Sequence, residues 1–99
     1  MTLPHEVDAV VIGAGPNGLV AANRLADAGW DTLLLEAQPD IGGAVRSDRE
    51  LHPDFVSDTF SAFYPMAAAS RVIQGLHLED YGLRWRHAPA VQGHTRGDG

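Results

Sequence analysis

The chain has 99 residues and a formal net charge of -6, with thirteen acidic residues against seven basic ones. It is long enough for one modest domain, and its 44% hydrophobic content excludes wholesale disorder. All seven basic residues are Arg and there is no Cys, which excludes Schiff-base chemistry, disulfides, thiolate nucleophiles and Cys-type zinc sites, while the acidic balance disfavours nucleic acid as a partner.

In chain order, Met1–Glu6 reads as a short tail. Val7–Ile12 is a β-branched run of the kind that forms a strand buried on both faces. A glycine-rich turn, Gly13–Gly18, follows, with Pro16 suited to the first turn of a helix. The helix is expected over about 16–28, with Leu19, Ala22 and Leu25 or Ala26 on its apolar face and Gly29 as its stop. Thr32–Glu36 reads as a second buried strand, which completes a βαβ unit. Beyond it, Gln38–Gly43 is a loop, and Ala44–Asp54 is polar and without periodicity. Phe55–Asp58 is a short strand candidate, Ala67–Leu76 a helix, Leu78–Gly82 a further helical turn, and Leu83–His87 an alternating, half-buried strand. Gln92–Gly99 reads as a turn with nothing to close it. No apolar stretch is long enough to span a membrane, and Glu6 and Asp8 stand where a secretory leader would be basic, so the expected location is cytoplasmic.

The strongest signal is Gly13-x-Gly15-x-x-Gly18, with Glu36 eighteen residues further on. Gly13 lets the chain turn sharply out of the strand, Gly15 lets a pyrophosphate approach the backbone, and Gly18 lets the helix pack closely on the strand. The helix N-terminus offers free N–H groups and a partial positive charge to phosphate. Glu36 closes an otherwise apolar strand and is placed to accept hydrogen bonds from a ribose. Its charge would repel a 2′-phosphate, which disfavours NADP. The motif by itself serves FAD and NAD alike.

Gly42-Gly43 follows Glu36 by six residues, and Ala44, Val45 and Arg46 come next. Taken alone, the glycine pair is an ordinary turn. In register with Glu36 it resembles the second glycine motif of the amine oxidase–phytoene desaturase superfamily of flavoproteins, and within that superfamily the phytoene-dehydrogenase-related branch. The stretches VIGAGPNGLVAANRLADAGWDTLLLEAQPDIGGAV, HPDFVSDTFSAFYP and LEDYGLRW carry the likeness, over roughly residues 7–91. The resemblance implies FAD as cofactor, with NAD the weaker fit. It implies that Gly13, Gly15 and Gly18 hold the pyrophosphate, with Asn17 in the same turn, that Glu36 binds the adenosine ribose, and that Gly43 and Ala44 pass close to the pyrophosphate–ribitol part. Two positions depart from the pattern. Ala44 stands where many members have Arg, with Arg46 two residues later, and Asp54 stands where Gly usually precedes the aromatic residue, here Phe55.

Other side chains carry weaker signals. His5, His52, His77, His87 and His94 are scattered without metal-site spacing, so no metal is expected. Asp48, Glu50, Asp54 and Asp58 read as solvated loop charges, and no serine sits in a nucleophile elbow. Phe60, Phe63, Tyr64 and Met66 read as core, or as an interface with missing parts of a larger protein, the alternative in a complete flavoprotein being an approach to the flavin or a substrate channel, and Trp85 reads as core. No catalytic residue can be assigned.

The expected fold is α/β: a partial Rossmann-like βαβ unit with additional short strands and a helix, the sheet incomplete and one face uncovered, in a single truncated domain over residues 1–99. The resemblance implies the FAD-binding N-terminal portion of a flavin-dependent oxidoreductase, not catalytic alone. The alternatives are a stand-alone adenine-dinucleotide module that buries its open faces by homo-oligomerisation, and a structural remnant that binds nothing.

Overall fold

A computed structural model describes residues 6–90, 93, 96 and 97. Most of the expected tail, most of the expected turn over Gln92–Gly99, and His5 and His94 lie outside the described residues. The chain divides into two compact units, Met1–Ala62 and Phe63–Gly99.

The first unit is built on a βαβ unit. Strand β1 (Ala9–Ile12) and strand β2 (Thr32–Leu35) pair in parallel, with Ala9 beside Thr32 and Ile12 beside Leu35. Helix α1 (Pro16–Asp27) connects them and packs on both. Pro16 lies in its first turn, where a missing N–H costs nothing. Leu19, Ala22 and Leu25 are half-buried, whereas Ala26 is exposed. The helix ends as its composition dictates. Gly29 takes φ +88, its N–H donates to the Ala26 carbonyl, and the Trp30 N–H reaches back to Leu25.

Both strands are shorter than their apolar runs. β1 starts at Ala9 because the Asp8 carboxylate turns aside to accept the Asp31 N–H at 2.8 Å. β2 stops at Leu35, and Glu36 lies just past it. The expectation of burial on both faces needs correction. Successive side chains alternate across a strand, and Val10 and Ile12 on the face away from α1 are 51% and 84% exposed. Two strands and one helix supply a single covering layer, which leaves the face uncovered, as the incomplete sheet implied.

Beyond the βαβ unit, strand β3 (Ser47–Asp48) pairs antiparallel with strand β4 (Ser57–Asp58). The strand expected over Phe55–Asp58 therefore keeps only its last two residues, and its partner arises in the stretch that showed no periodicity.

In the second unit the helix expected over Ala67–Leu76 is two helices, α2 (Pro65–Ala69) and α3 (Arg71–Gln74), which pack together. Ser70 breaks them. Its backbone is extended at ψ 124 and its hydroxyl accepts the Ile73 N–H at 3.4 Å, so it serves as an N-cap inside the apolar run. A 3-10 turn spans Leu78–Tyr81, where a helical turn was expected. Leu83–His87 is not a strand, because alternation supplies a face but no neighbour to pair with. Leu83 and Trp85 remain half-buried, while Phe63 and Met66 are exposed rather than core.

Candidate functional site

The site is organised around Ala14, which stands between the first two glycines of the first glycine turn. Ala14 is fully buried, the one hydrophobic residue among those described to be so. Its N–H donates to Glu36 Oε2 at 3.0 Å, and its carbonyl accepts the Gly42 N–H at 2.7 Å. One step earlier, the Gly13 N–H donates to the Leu35 carbonyl at 2.7 Å. Three short contacts of main chain and carboxylate thus tie the end of β1, the end of β2 and the second glycine turn into one cluster. A small residue between two glycines is the trace that this node leaves in the sequence.

Gly18 permits the closest approach. A Cβ built there would lie 1.8 Å from the Gly13 carbonyl oxygen and 3.6 Å from Val11 Cγ1. Any side chain at that position would push helix α1 off the strand and its turn. Gly43 plays the matching part in the second turn. Its φ is +59, and a Cβ would sit 3.0 Å from Gly15 Cα and 3.7 Å from Pro16 Cδ. The second glycine turn therefore lies against the N-terminus of α1. That terminus carries no side-chain cap and no acidic residue in its first turn. Its positive end is left for an anion.

Glu36 is half-buried, with one carboxylate oxygen held by Ala14. The other oxygen has a long contact of 3.5 Å from the Gln38 N–H, beyond the usual hydrogen-bond range. That oxygen keeps acceptor capacity for a ligand hydroxyl. Glu36, Gly43 and Ala44 line one open depression of about 330 Å³ together with Gln38, Asp40, Arg46 and Phe60. Gly13, Gly15, Asn17 and Gly18 are not among its lining residues. Gly15 meets it through Gly43, and Asn17 is an exposed residue of the first helical turn.

Sequence reasoning names Arg46 beside the second glycine pair and Phe60 in the aromatic patch without assigning either to this depression, and it misses Gln38 and Asp40. Phe60 is 65% exposed, with the Arg46 guanidinium carbon 5.5 Å from its ring centroid. Among the described residues no cluster of three or more His, Asp or Glu could hold a metal ion, and no helix is long and apolar enough to cross a membrane.

A parallel βαβ unit, a glycine turn opening its helix, and a carboxylate at the end of the second strand define a dinucleotide-binding unit. The family described as NAD(P)-binding Rossmann-like domain matches residues 11–97, and the chain belongs to it. Similar curated proteins include "Amine oxidase [flavin-containing] A" of Canis lupus familiaris, 46% identical over 52 residues, covering 52% of this chain and 10% of that protein. "Pyridine nucleotide-disulfide oxidoreductase domain-containing protein 2" of Mus musculus is 39% identical over 82 residues, covering 83% of this chain and 14% of that protein. "Thiamine thiazole synthase" of Desulfosudis oleivorans is 41% identical over 76 residues, covering 77% of this chain and 29% of that protein. The chain thus spans 10%, 14% and 29% of the lengths of these three relatives. No solved structure matches the chain.

Proposed function

We propose that the chain is the FAD-binding N-terminal portion of a flavin-dependent oxidoreductase of the phytoene-dehydrogenase-related kind, and that residues 1–99 form part of one Rossmann-like domain. The observation that carries this reading is the cluster at Ala14, which seats a second glycine turn on the first and points a carboxylate into the same depression. The residues present suit an adenine dinucleotide. The uncapped N-terminus of α1 supplies donors for phosphate, and Gly15 and Gly43, lacking side chains, let the second glycine turn seat against that terminus. Support for FAD over NAD comes from the second glycine turn and from a relative whose name specifies flavin.

In this reading Gly13, Gly15, Asn17 and Gly18 hold the pyrophosphate. Glu36 accepts from the ribose hydroxyls and turns away a 2′-phosphate, and Gly43 and Ala44 give room beside the phosphates. FAD, when bound, would supply the acceptor for a hydride taken from a substrate C–H bond, as in oxidation of a C–C or C–N single bond. The chain itself positions the cofactor and supplies polarity. The uncovered face at Val10 and Ile12 fits the missing remainder of the parent protein, and the Cys-free composition fits the cytoplasm.

Calorimetric titration of the purified chain with FAD, NAD, NADP and ADP tests the reading. FAD is expected to bind most tightly and NADP most weakly. Equal and very weak heats for all four ligands overturn it.

A further inference from the structure

We propose that the turn His52-Pro53-Asp54-Phe55, in the connection from β3 to β4, is a pH-sensitive switch thrown by His52. The turn is closed by the Phe55 N–H, which donates to the His52 carbonyl at 3.1 Å. Pro53 presets the backbone of its second position, and Asp54 is not at positive φ, as in a type I turn. The first place of such a turn favours Asp, Asn or Ser, whose side-chain oxygen accepts the N–H two residues on. Here His52 takes that place, and the Asp54 N–H donates to its Nδ1 at 3.2 Å. A main-chain N–H only donates, so Nδ1 carries the lone pair and the proton of the neutral ring is on Nε2. An Asn or Ser oxygen keeps its lone pairs from about pH 8 to about pH 5, whereas an imidazole that takes up a second proton in that range has no acceptor left.

The groups around the ring are arranged to respond. The Pro53–Asp54 peptide is held on both edges, its N–H by His52 and its carbonyl by the Arg49 guanidinium at 2.9 Å. Protonation makes Nδ1 a donor and removes the first of these holds. The Asp54 carboxylate offers the replacement, with Oδ2 4.0 Å from Nδ1 and both side chains exposed. The ring thus exchanges a main-chain donor for a charged acceptor within one turn. The other charged groups of this ribbon are Arg49, Glu50, Asp48 and Asp58. Asp48 already holds the Glu50 N–H and the Thr59 hydroxyl, and Asp58 holds the Ser47 hydroxyl. Phe55 flanks the imidazole, with the ring centroids 5.4 Å apart and the planes at 61°. The Pro53–Asp54 peptide is also the one that turns over when a type I turn becomes type II, and Asp tolerates the positive φ that this requires. Strand β4 begins at Ser57, two residues past the turn, so the released peptide loosens the entry to that strand. The turn lies at the end of the ribbon away from Arg46 and Phe60, and the device is independent of the dinucleotide reading.

The test is NMR of the full chain, following the imidazole nitrogens and the backbone amides from about pH 8 to about pH 5. At the upper end the His52 ring should be the Nε2–H tautomer. As the ring takes up its proton, the Asp54 amide signal should move with it, and the protection factor of that amide should fall about fivefold, the scale of one lost hydrogen bond. The Ala9–Ile12 amides should hold still. His52→Asn supplies an acceptor that does not titrate and should keep the Asp54 amide in its high-pH state throughout. His52→Ala supplies none and should leave that amide in its low-pH state at both ends. An Nδ1–H tautomer at the upper end overturns the inference, and so does an Asp54 amide that ignores the His52 titration. It also fails if the Asp54 amide of His52→Asn titrates as in wild type, because the response would then belong to a carboxylate. Loss of the Ala9–Ile12 signals over the same range overturns it as well, since the first unit as a whole would be responding rather than the turn.

Discussion

β1–β2 and β3–β4 are each two strands wide, yet they are held together by different chemistry. β1 and β2 are joined by a four-residue parallel ladder and clamped by main-chain bonds around a buried alanine. β3 and β4 have only two residues each, and side chains finish the pairing. Thr59 donates to Asp48, and the Ser47 hydroxyl donates to Asp58. The first pair depends on the absence of side chains at chosen positions. The second depends on charged and hydroxyl side chains exposed to water. Glycine substitutions should therefore damage the first region, and changes in protonation should damage the second.

The largest expected effect is at Gly18. Alanine there gains about 1 kcal/mol of helix propensity. Its Cβ, however, meets the Gly13 carbonyl oxygen at 1.8 Å, and that backbone atom must move. Overpacking of this severity costs about 3 kcal/mol, so Gly18→Ala should be destabilising by about 2 kcal/mol. Urea unfolding at constant m-value measures it, and a midpoint at or above wild type would show that the helix does not lie where described. Gly43→Ala should follow at about 1–2 kcal/mol, because φ +59 disfavours a side chain and the contact with Gly15 Cα is tight.

Glu36→Ala ranks next. It strips the Ala14 N–H of its acceptor inside the cluster. An unsatisfied buried donor costs about 1 kcal/mol or more. Glu36→Gln retains an acceptor oxygen and should recover most of that stability. The pair of variants therefore separates anchoring from charge. If Glu36→Gln is as stable as wild type but admits NADP more readily, the carboxylate's charge acts on the ligand rather than on the fold. Equal instability in both variants would mean that the negative charge itself holds the turn.

The two regions differ in the same way in what could be read from sequence. Gly13, Gly15, Gly18 and Glu36 stand at spacings set by one turn and one helix, so local rules suffice. Gly29 and Pro16 mark the helix ends for the same reason. Ala14 escaped notice because its role needs three separate segments to meet. Ser47, Asp48, Ser57 and Asp58 have no hydrophobic alternation, and their pairing rests on partners eleven residues apart. Arg46 and Phe60 share a depression only because that ribbon brings them there. Leu83–His87 shows the converse: alternation was legible, but a strand needs a neighbour that the described chain does not provide.

The smallest effect is acid sensitivity confined to the ribbon. The Asp48 carboxyl is held below its ordinary value, first by the Glu50 N–H, then by the Thr59 hydroxyl, with a further contribution from the charge of Arg46. A carboxyl lowered in the folded state stabilises that state above its unfolded value and loses the contribution as pH falls through the folded value. Asp48 is half-exposed on a two-residue surface ribbon, so the contribution is slight. Amide NMR should nevertheless resolve it. The Glu50 and Thr59 amides should titrate below the ordinary aspartate range, while those of Ala9–Ile12 stay unmoved by the same transition. Thr59→Val removes one of the two bonds to Asp48 and should shift that titration upward toward the ordinary range. If the β1 amides follow the Asp48 titration, the two strand pairs are coupled, and the contrast between glycine-built and side-chain-built pairing fails.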